Sequence, residues 1–377
     1  MRIAIFTELF WPYTLGGGEN RYYEIAKRLA RKHEIHVYTM KLKGTKNYEI
    51  HENIHIHRLG IFKHPLDKRS LKPLVFYFLH SLIKPLPNVD IIDCNTYFPC
   101  ISGFIRSKIR KKPIVATIHD VYRDMWGFAL GNKFLDPVGN FIELLVCKLP
   151  YNRIITVSSS TKNLLMKTFS ISNKMIEIIP NGIGIKTIDK IKAKKKKNQI
   201  CYVGRLIPHK HIEDLIEVVE KLKSKIPDIK CKIVGGGVLR NKLERDVRRR
   251  GLSKQIEFCG FMKDYKNVIK IMKESEVFIL PSTREGFGIV MIEAMRCMAV
   301  PVAYKLDAYK DFCNNKNSVL VKERDVNELY KKVEVLLINP KVRNDYAKNG
   351  FRTSAKFDWD RITKSIEELY EENIHYS

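Results

Sequence analysis

The stretch QICYVGRLIPHKHIEDLIEVVEKLK, residues 199–223, decides the architecture. It opens on a short run of β-branched and aromatic residues and breaks at Gly204. A loop then carries Arg205 and Lys210, and the segment closes on an amphipathic helix over 212–223, apolar at Ile212, Leu215, Ile216, Val219 and Leu222. A hydrophobic period of 2 that switches to 3.6 is a strand feeding a helix, the repeating unit of a parallel sheet.

The same unit recurs in both directions. Downstream, strand-like runs at 231–235, 256–260, 277–280, 301–304 and 319–321 alternate with amphipathic segments such as 239–250. Upstream, runs at 3–7, 35–39, 54–59, 90–93, 114–119, 154–158 and 176–179 keep the same rhythm. A chain of 377 residues that is 45% hydrophobic is too long for one ordinary core, so two Rossmann-like doubly wound sheets are expected. Between them the apolar period is lost over 185–198, which ends in the run Lys192-Ala193-Lys194-Lys195-Lys196-Lys197; a solvated linker is preferred here to a phosphate-binding patch. The expected divisions are a first domain over 1–185, a linker over 186–198, a second domain over 199–355 and a C-terminal segment over 356–377. That last segment is read as a helix from Arg361 to about Glu372, N-capped by Asp358 or Asp360 and packed back on the first domain. An Asp-x-Asp pair at a helix start is not the strand-end metal site it could be mistaken for.

Lys and Arg number 68 against 41 Asp and Glu, a formal charge of +27 that favours anionic partners: nucleotides, phosphosugars, nucleic acid or acidic headgroups. Nucleic acid is set aside, because no helix-turn-helix, zinc finger or aromatic-studded RNA-binding strand accompanies the charge. The eight cysteines form no C-x-x-C pair or other zinc spacing, which points to a reduced, intracellular protein. The start reads as a first strand rather than a secretory leader. The longest apolar stretch, 74–83, contains His80 and falls short of the roughly 20 residues of a spanning helix, so a soluble or peripheral protein is expected.

Chemistry is expected in four places. Gly16, Gly17 and Gly18 precede the helix through Tyr23, Ala26 and Leu29, where glycines let backbone N–H groups approach an anion; without G-x-G-x-x-G this is no dinucleotide fingerprint. Arg205 and Lys210 share one strand-to-helix loop, and a guanidinium fork with an ammonium suits a diphosphate. Glu285 and Glu293 flank Gly286-Phe287-Gly288 after the strand 277–280, and their eight-residue offset is read as two helical turns over one face. His119 ends the strand 114–118, at the carboxyl edge where ligands of doubly wound sheets gather.

In this order the pieces resemble the retaining glycosyltransferases of family 4. The resemblance spans nearly the whole chain: Gly16-Gly17 with Glu19, His119-Asp120, Val157-Ser158, Pro180-Asn181-Gly182, Gly204-Arg205 with Lys210, Gly235-Gly236-Gly237, the element from Glu285 to Glu293, and the Trp359 helix. It implies the GT-B fold, two Rossmann-like domains facing a central cleft with a C-terminal helix. It implies that Arg205 and Lys210 hold the diphosphate of a nucleotide-sugar donor together with the Gly16-Gly17 loop. Glu293 would take the ribose hydroxyls, Glu285 with the Gly286–Gly288 amides the sugar, and His119 would face that sugar from the opposite domain. Asn181, Gly204 and Phe287 fall among the donor-binding positions. No metal and no cofactor beyond the nucleotide-sugar co-substrate is implied. The departures are Gly184 where the family usually has Asp, His211 where Gly follows the Lys, and a segment after Glu293, through Met298 to Pro301, that is one residue longer and lacks its glycine.

For the acceptor, a glycan or a lipid-linked glycan, the segment 69–84 stands out as basic at its ends and aromatic within; a membrane-interface helix and a buried helix fit it equally. With the net charge this gives an expected cytoplasmic protein, peripheral at an anionic inner membrane face. The competing reading is a catalytically weakened sugar-nucleotide or polysaccharide-binding protein of the same fold.

Overall fold

The computed structural model describes residues 1–13, 17–63, 72–123, 125–126 and 136–375. They divide into two units, one joining Met1–Asn181 to Trp359–Ser377 and the other running from Gly182 to Asp358.

In the first unit the strands β1 (Arg2–Phe6), β2 (Glu34–Leu42), β3 (Tyr48–His51), β4 (Ile54–Lys63), β5 (Ile91–Asn95), β6 (Ile114–Ile118), β7 (Arg153–Thr156) and β8 (Ile176–Ile178) form one sheet in the order β3-β4-β2-β1-β5-β6-β7-β8. Every pairing is parallel except β3 with β4, a hairpin at the sheet edge that the sequence reading did not include. Helix α1 (Gly17–Leu29) links β1 to β2, moving one way along the sheet. Helices α2 (Lys72–Ile83), α3 (Tyr97–Arg110), α4 (Asp136–Lys148) and α5 (Ser159–Phe169) accompany the steps from β4 through to β8, moving the other way. Right-handed crossovers put the two sets on opposite sheet faces. Accordingly α2, α3, α4 and α5 touch one another in sequence, and α1 packs with α13 (Trp359–His375). Central strands such as β5 and β6 are buried along their full length, which is why they read as continuous apolar runs.

The second unit is an all-parallel sheet, β11-β10-β9-β12-β13-β14, built from β9 (Gln199–Val203), β10 (Lys230–Val234), β11 (Ile256–Gly260), β12 (Val277–Leu280), β13 (Val300–Tyr304) and β14 (Val319–Val321). Its helices are α6 (Ile185–Lys190), α7 (Ile212–Lys223), α8 (Arg240–Arg249), α9 (Tyr265–Glu274), α10 (Ile289–Arg296), α11 (Val326–Ile338) and α12 (Pro340–Ser354). The strand order reverses between β9 and β12, so the loops leaving those two strands diverge and leave a crevice at the carboxyl edge.

Residues 186–198 belong to this second unit rather than standing free as a linker. Asp189 on α6 pairs with Arg296 on α10, and Lys195 Nζ donates to the carbonyls of Ser275 (2.5 Å) and Cys297 (3.1 Å). Lys195 thus caps carbonyls at chain turns and Lys196 pairs with Glu274, uses that a count of charges does not reveal. The C-terminal helix starts at Trp359, two residues before its expected start, and Asp360 pairs with Arg28 of α1 (2.7 Å).

Candidate functional site

The crevice of the second unit collects the loops after β9, β10 and β12. Gly204 N donates to Val234 O (3.0 Å) and Leu206 N to Gly236 O (2.9 Å), which locks the Arg205 loop onto the glycine turn. Gly235 has φ +135°, and a Cβ there would lie 1.9 Å from Gly204 O, so the two backbones approach as closely as only glycine permits. On the other side Thr283 N donates to His209 O (3.0 Å) and Ser282 Oγ to the same oxygen (3.2 Å), tying the β12 loop to the β9 loop.

This stitching leaves Arg205 exposed, and its guanidinium meets no carboxylate among the described residues. Lys210 is buried and its Nζ donates to Glu285 Oε1; the pair retains only 11% and 14% side-chain exposure. His209 sits amid this charge. Burial is the main cause that holds its imidazole down at about 4, with the charges of Lys210, Arg205, Arg284 and His211 adding to it.

Glu285 precedes α10, so Glu285 and Glu293 are not two turns apart on one helix face. Gly288, at φ +84°, begins the helix, and a Cβ there would lie 2.6 Å from Tyr309. Glu293 is buried within α10 and accepts from Tyr265 Oη (2.7 Å). Burial pushes its carboxyl up to about 7, with the tyrosine bond holding it back from rising further. The Phe287 side chain is buried and packs against Phe312 and Phe357, leaving its backbone as the group the crevice can use.

Two of the family departures have a geometric meaning. His211 (φ +44°) and Met298 (φ +55°) are both held in the left-handed region that glycine adopts freely. Here His211 is anchored by its Nε2 against Thr283 Oγ1 (3.1 Å).

In the first unit Gly17 is the first residue of α1, whereas Gly16 lies outside the described residues. A Cβ on Gly18 would be 3.3 Å from His119 Nε2, so the helix start and the histidine are in contact. That Nε2 is buried without a hydrogen-bond partner among the described residues, and burial with the nearby Arg21 charge pushes the imidazole down to about 3. Asn181 is buried, and its Oδ1 accepts from Arg21 Nη1 (3.2 Å), which also donates to Pro180 O (2.6 Å).

Several supporting residues were missed from sequence. Asp93 on β5 accepts from Tyr22 Oη (2.8 Å) and from Tyr370 Oη of α13, and burial, offset by those tyrosines and Arg21, lifts its carboxyl to about 6. Glu143 on α4 accepts from Tyr122 N (2.7 Å), Trp126 Nε1 (3.3 Å) and Tyr97 Oη (3.2 Å), fixing the segment that follows His119. A charged residue inside an otherwise apolar strand or helix face, as in IIDCN, was the available signal.

A switch-point crevice with a glycine turn, an exposed arginine and a lysine–glutamate pair is the kind of place where doubly wound sheets take their ligands. The comparisons take the assignment further. Residues 15–186 match the model described as Glycosyltransferase Family 4, and 185–353 match Glycosyl transferases group 1. The chain is 31% identical over 365 residues to the N-acetylgalactosamine-N,N'-diacetylbacillosaminyl-diphospho-undecaprenol 4-alpha-N-acetylgalactosaminyltransferase of Campylobacter jejuni, covering 93% of this chain and 94% of that one. It is 25% identical over 373 residues to an uncharacterized glycosyltransferase of Methanocaldococcus jannaschii, covering 98% of each. Sucrose-phosphate synthase from Thermosynechococcus elongatus has the same fold, with TM-score 0.83 at 19% identity over the full length of both chains. The chain belongs to the glycosyltransferases of this group, enzymes that transfer sugar from nucleotide sugars, with the GT-B fold.

Proposed function

We propose that the chain transfers a sugar from a nucleoside-diphosphate sugar to an acceptor hydroxyl with retention of anomeric configuration and without a metal or further cofactor. The observation that carries this reading is Arg205, exposed and without a carboxylate among the described residues, beside the Lys210–Glu285 pair at the switch point of the second unit. Arg205 and Lys210 take the diphosphate, the guanidinium as a fork and the ammonium as a point charge. Glu293 accepts the ribose hydroxyls, and Glu285 with the Gly286 and Gly288 backbone grips the sugar. The bond from the anomeric carbon to the phosphate oxygen breaks, the acceptor oxygen bonds the same face, and the departing phosphate collects the acceptor proton. Catalysis is then positioning plus stabilisation of diphosphate charge.

The acceptor is a lipid-linked glycan at the cytoplasmic face of an anionic membrane. The name of the Campylobacter relative, which specifies a diphospho-undecaprenol substrate, supports this. No described helix is long and apolar enough to cross a membrane, so contact with one is peripheral in this reading. Thermal stabilisation by a panel of UDP-, GDP- and ADP-sugars tests the donor side. One nucleotide class should raise the melting temperature of the wild type and not of Arg205→Ala; no shift with any donor overturns the reading in favour of a protein that has lost donor binding.

A further inference from the structure

We propose that Tyr265 is a positioning residue for the donor, its hydroxyl fixing the Glu293 carboxylate so that Oε2 faces the ribose. The inference rests on the reading of Glu293 given above and goes beyond it to the residue that orients the carboxylate. Tyr265 is the first residue of α9, whose start is held by Asp264, the Oδ1 of which accepts from Lys266 N (2.9 Å). The loop before it leaves the end of β11, and Gly260 O there accepts from Gly235 N (2.8 Å), so the tyrosine belongs to the same cluster of loops as the glycine turn and Arg205. It bridges two environments. Tyr265 is 38% exposed, while its hydroxyl donates to Oε1 of Glu293 (2.7 Å) on α10, a residue only 8% exposed.

A glutamate carboxylate left to itself is poorly constrained, because its last torsion is broad and two-fold. The phenol removes that freedom. With Oε1 engaged the carboxylate plane is set, and Oε2, to which no described residue donates, is the atom left for an incoming hydroxyl. The same bond favours the ionised form. No lysine or arginine pairs with Glu293 among the described residues. The titratable groups that face it are Tyr265 from α9 and Cys297 at the end of its own helix, whose thiol is pushed up by burial and by Glu293 and so stays neutral. Burial holds the Glu293 carboxyl up at about 7, and the Tyr265 bond keeps it from rising further. One hydroxyl thus orients the accepting group and draws it towards ionisation near neutral pH.

The test is titration calorimetry of the full chain, on both sides of neutral pH, with whichever of UDP-glucose, GDP-mannose and ADP-glucose stabilises the wild type, and with the 2′,3′-dideoxy form of that nucleotide sugar. Tyr265→Phe keeps the ring and loses only the hydroxyl. It should bind the donor roughly tenfold more weakly at neutral pH, with the rise of affinity displaced to higher pH than in the wild type. The weakening should disappear with the dideoxy form, and Tyr265→Phe should add no loss to that of Glu293→Gln, since the tyrosine acts only through that carboxylate. A cooperative melt followed by circular dichroism establishes that each variant is folded. Wild-type affinity with an unmoved pH profile in Tyr265→Phe overturns the inference. So does a weakening that persists with the dideoxy form or adds to that of Glu293→Gln, the mark of a merely structural tyrosine. If Glu293→Gln binds as the wild type does, the ribose reading fails and the inference with it; absence of binding by all three nucleotide sugars overturns the donor reading itself.

Discussion

Lys210 and Glu285 satisfy one another in the second unit while each keeps capacity to spare, since an ammonium has three donors and a carboxylate two acceptor oxygens. Removing one partner strands the other, so Lys210→Met should cost about 2 kcal/mol, less than a fully sealed pair because some exposure remains. Lys210→Met with Glu285→Met should recover most of that loss in denaturant titrations and still bind no donor, which separates the structural role of the pair from its functional one. Glu293 carries a pH signature. Its folded pKa of about 7 lies above the ordinary 4.5, so the folded state holds a proton that the unfolded state releases between those values. The contribution of Glu293 to the stability of the second unit should therefore be fully present below pH 4.5 and be lost as pH rises towards 7, and Glu293→Gln should remove that component of the pH dependence. Ribose hydroxyls need the ionised acceptor, so donor affinity should rise across the same window. Titration calorimetry of Glu293→Gln should show about tenfold to a hundredfold weaker binding with the pH dependence gone.

At the level of elements, the loops record where this chain parted from its family. Met298 occupies a left-handed turn between α10 and β13 with no hydrogen bond from its side chain to hold it there. Met298→Gly should raise stability by about 1 kcal/mol in thermal or denaturant unfolding. His211→Gly should gain less, because it forfeits the contact to Thr283.

The strands and crossover helices were legible because each is specified by its own period and by neighbours a few residues away. The β3 hairpin was not: YEIH alternates within only four residues and half of it faces solvent. The Glu285–Glu293 spacing misled because a positive-φ glycine starts the helix three residues after Glu285, and spacing carries no record of where a helix begins. Helix α2 explains why a buried and an interfacial reading were equally good, since it presents apolar side chains both to Tyr38 and to solvent. The polar supports were least legible. Asp93 and Tyr370 lie 277 residues apart, and no local pattern announces such a pair.

Across the whole molecule the two units differ in how the chain makes them. The second is one continuous segment, Gly182–Asp358, and holds Arg205, Lys210, Glu285 and Glu293 by itself. The first is closed by a helix that returns after the second is complete, through Arg28–Asp360, His33–Glu367 (2.7 Å) and Tyr370–Asp93. Truncation after Asp358 should thus abolish the calorimetric transition of the first unit, whose buried Asp93 loses a donor, while a transition that shifts with nucleotide persists. That arrangement should also reverse the usual order of maturation on the ribosome. Domains ordinarily finish in the order they emerge, at roughly 5–20 residues per second. Here the amino-terminal unit should complete its packing only after residues 359–375 have cleared the exit tunnel. Nascent chains stalled late in synthesis would therefore present the first unit, rather than the second, to chaperones.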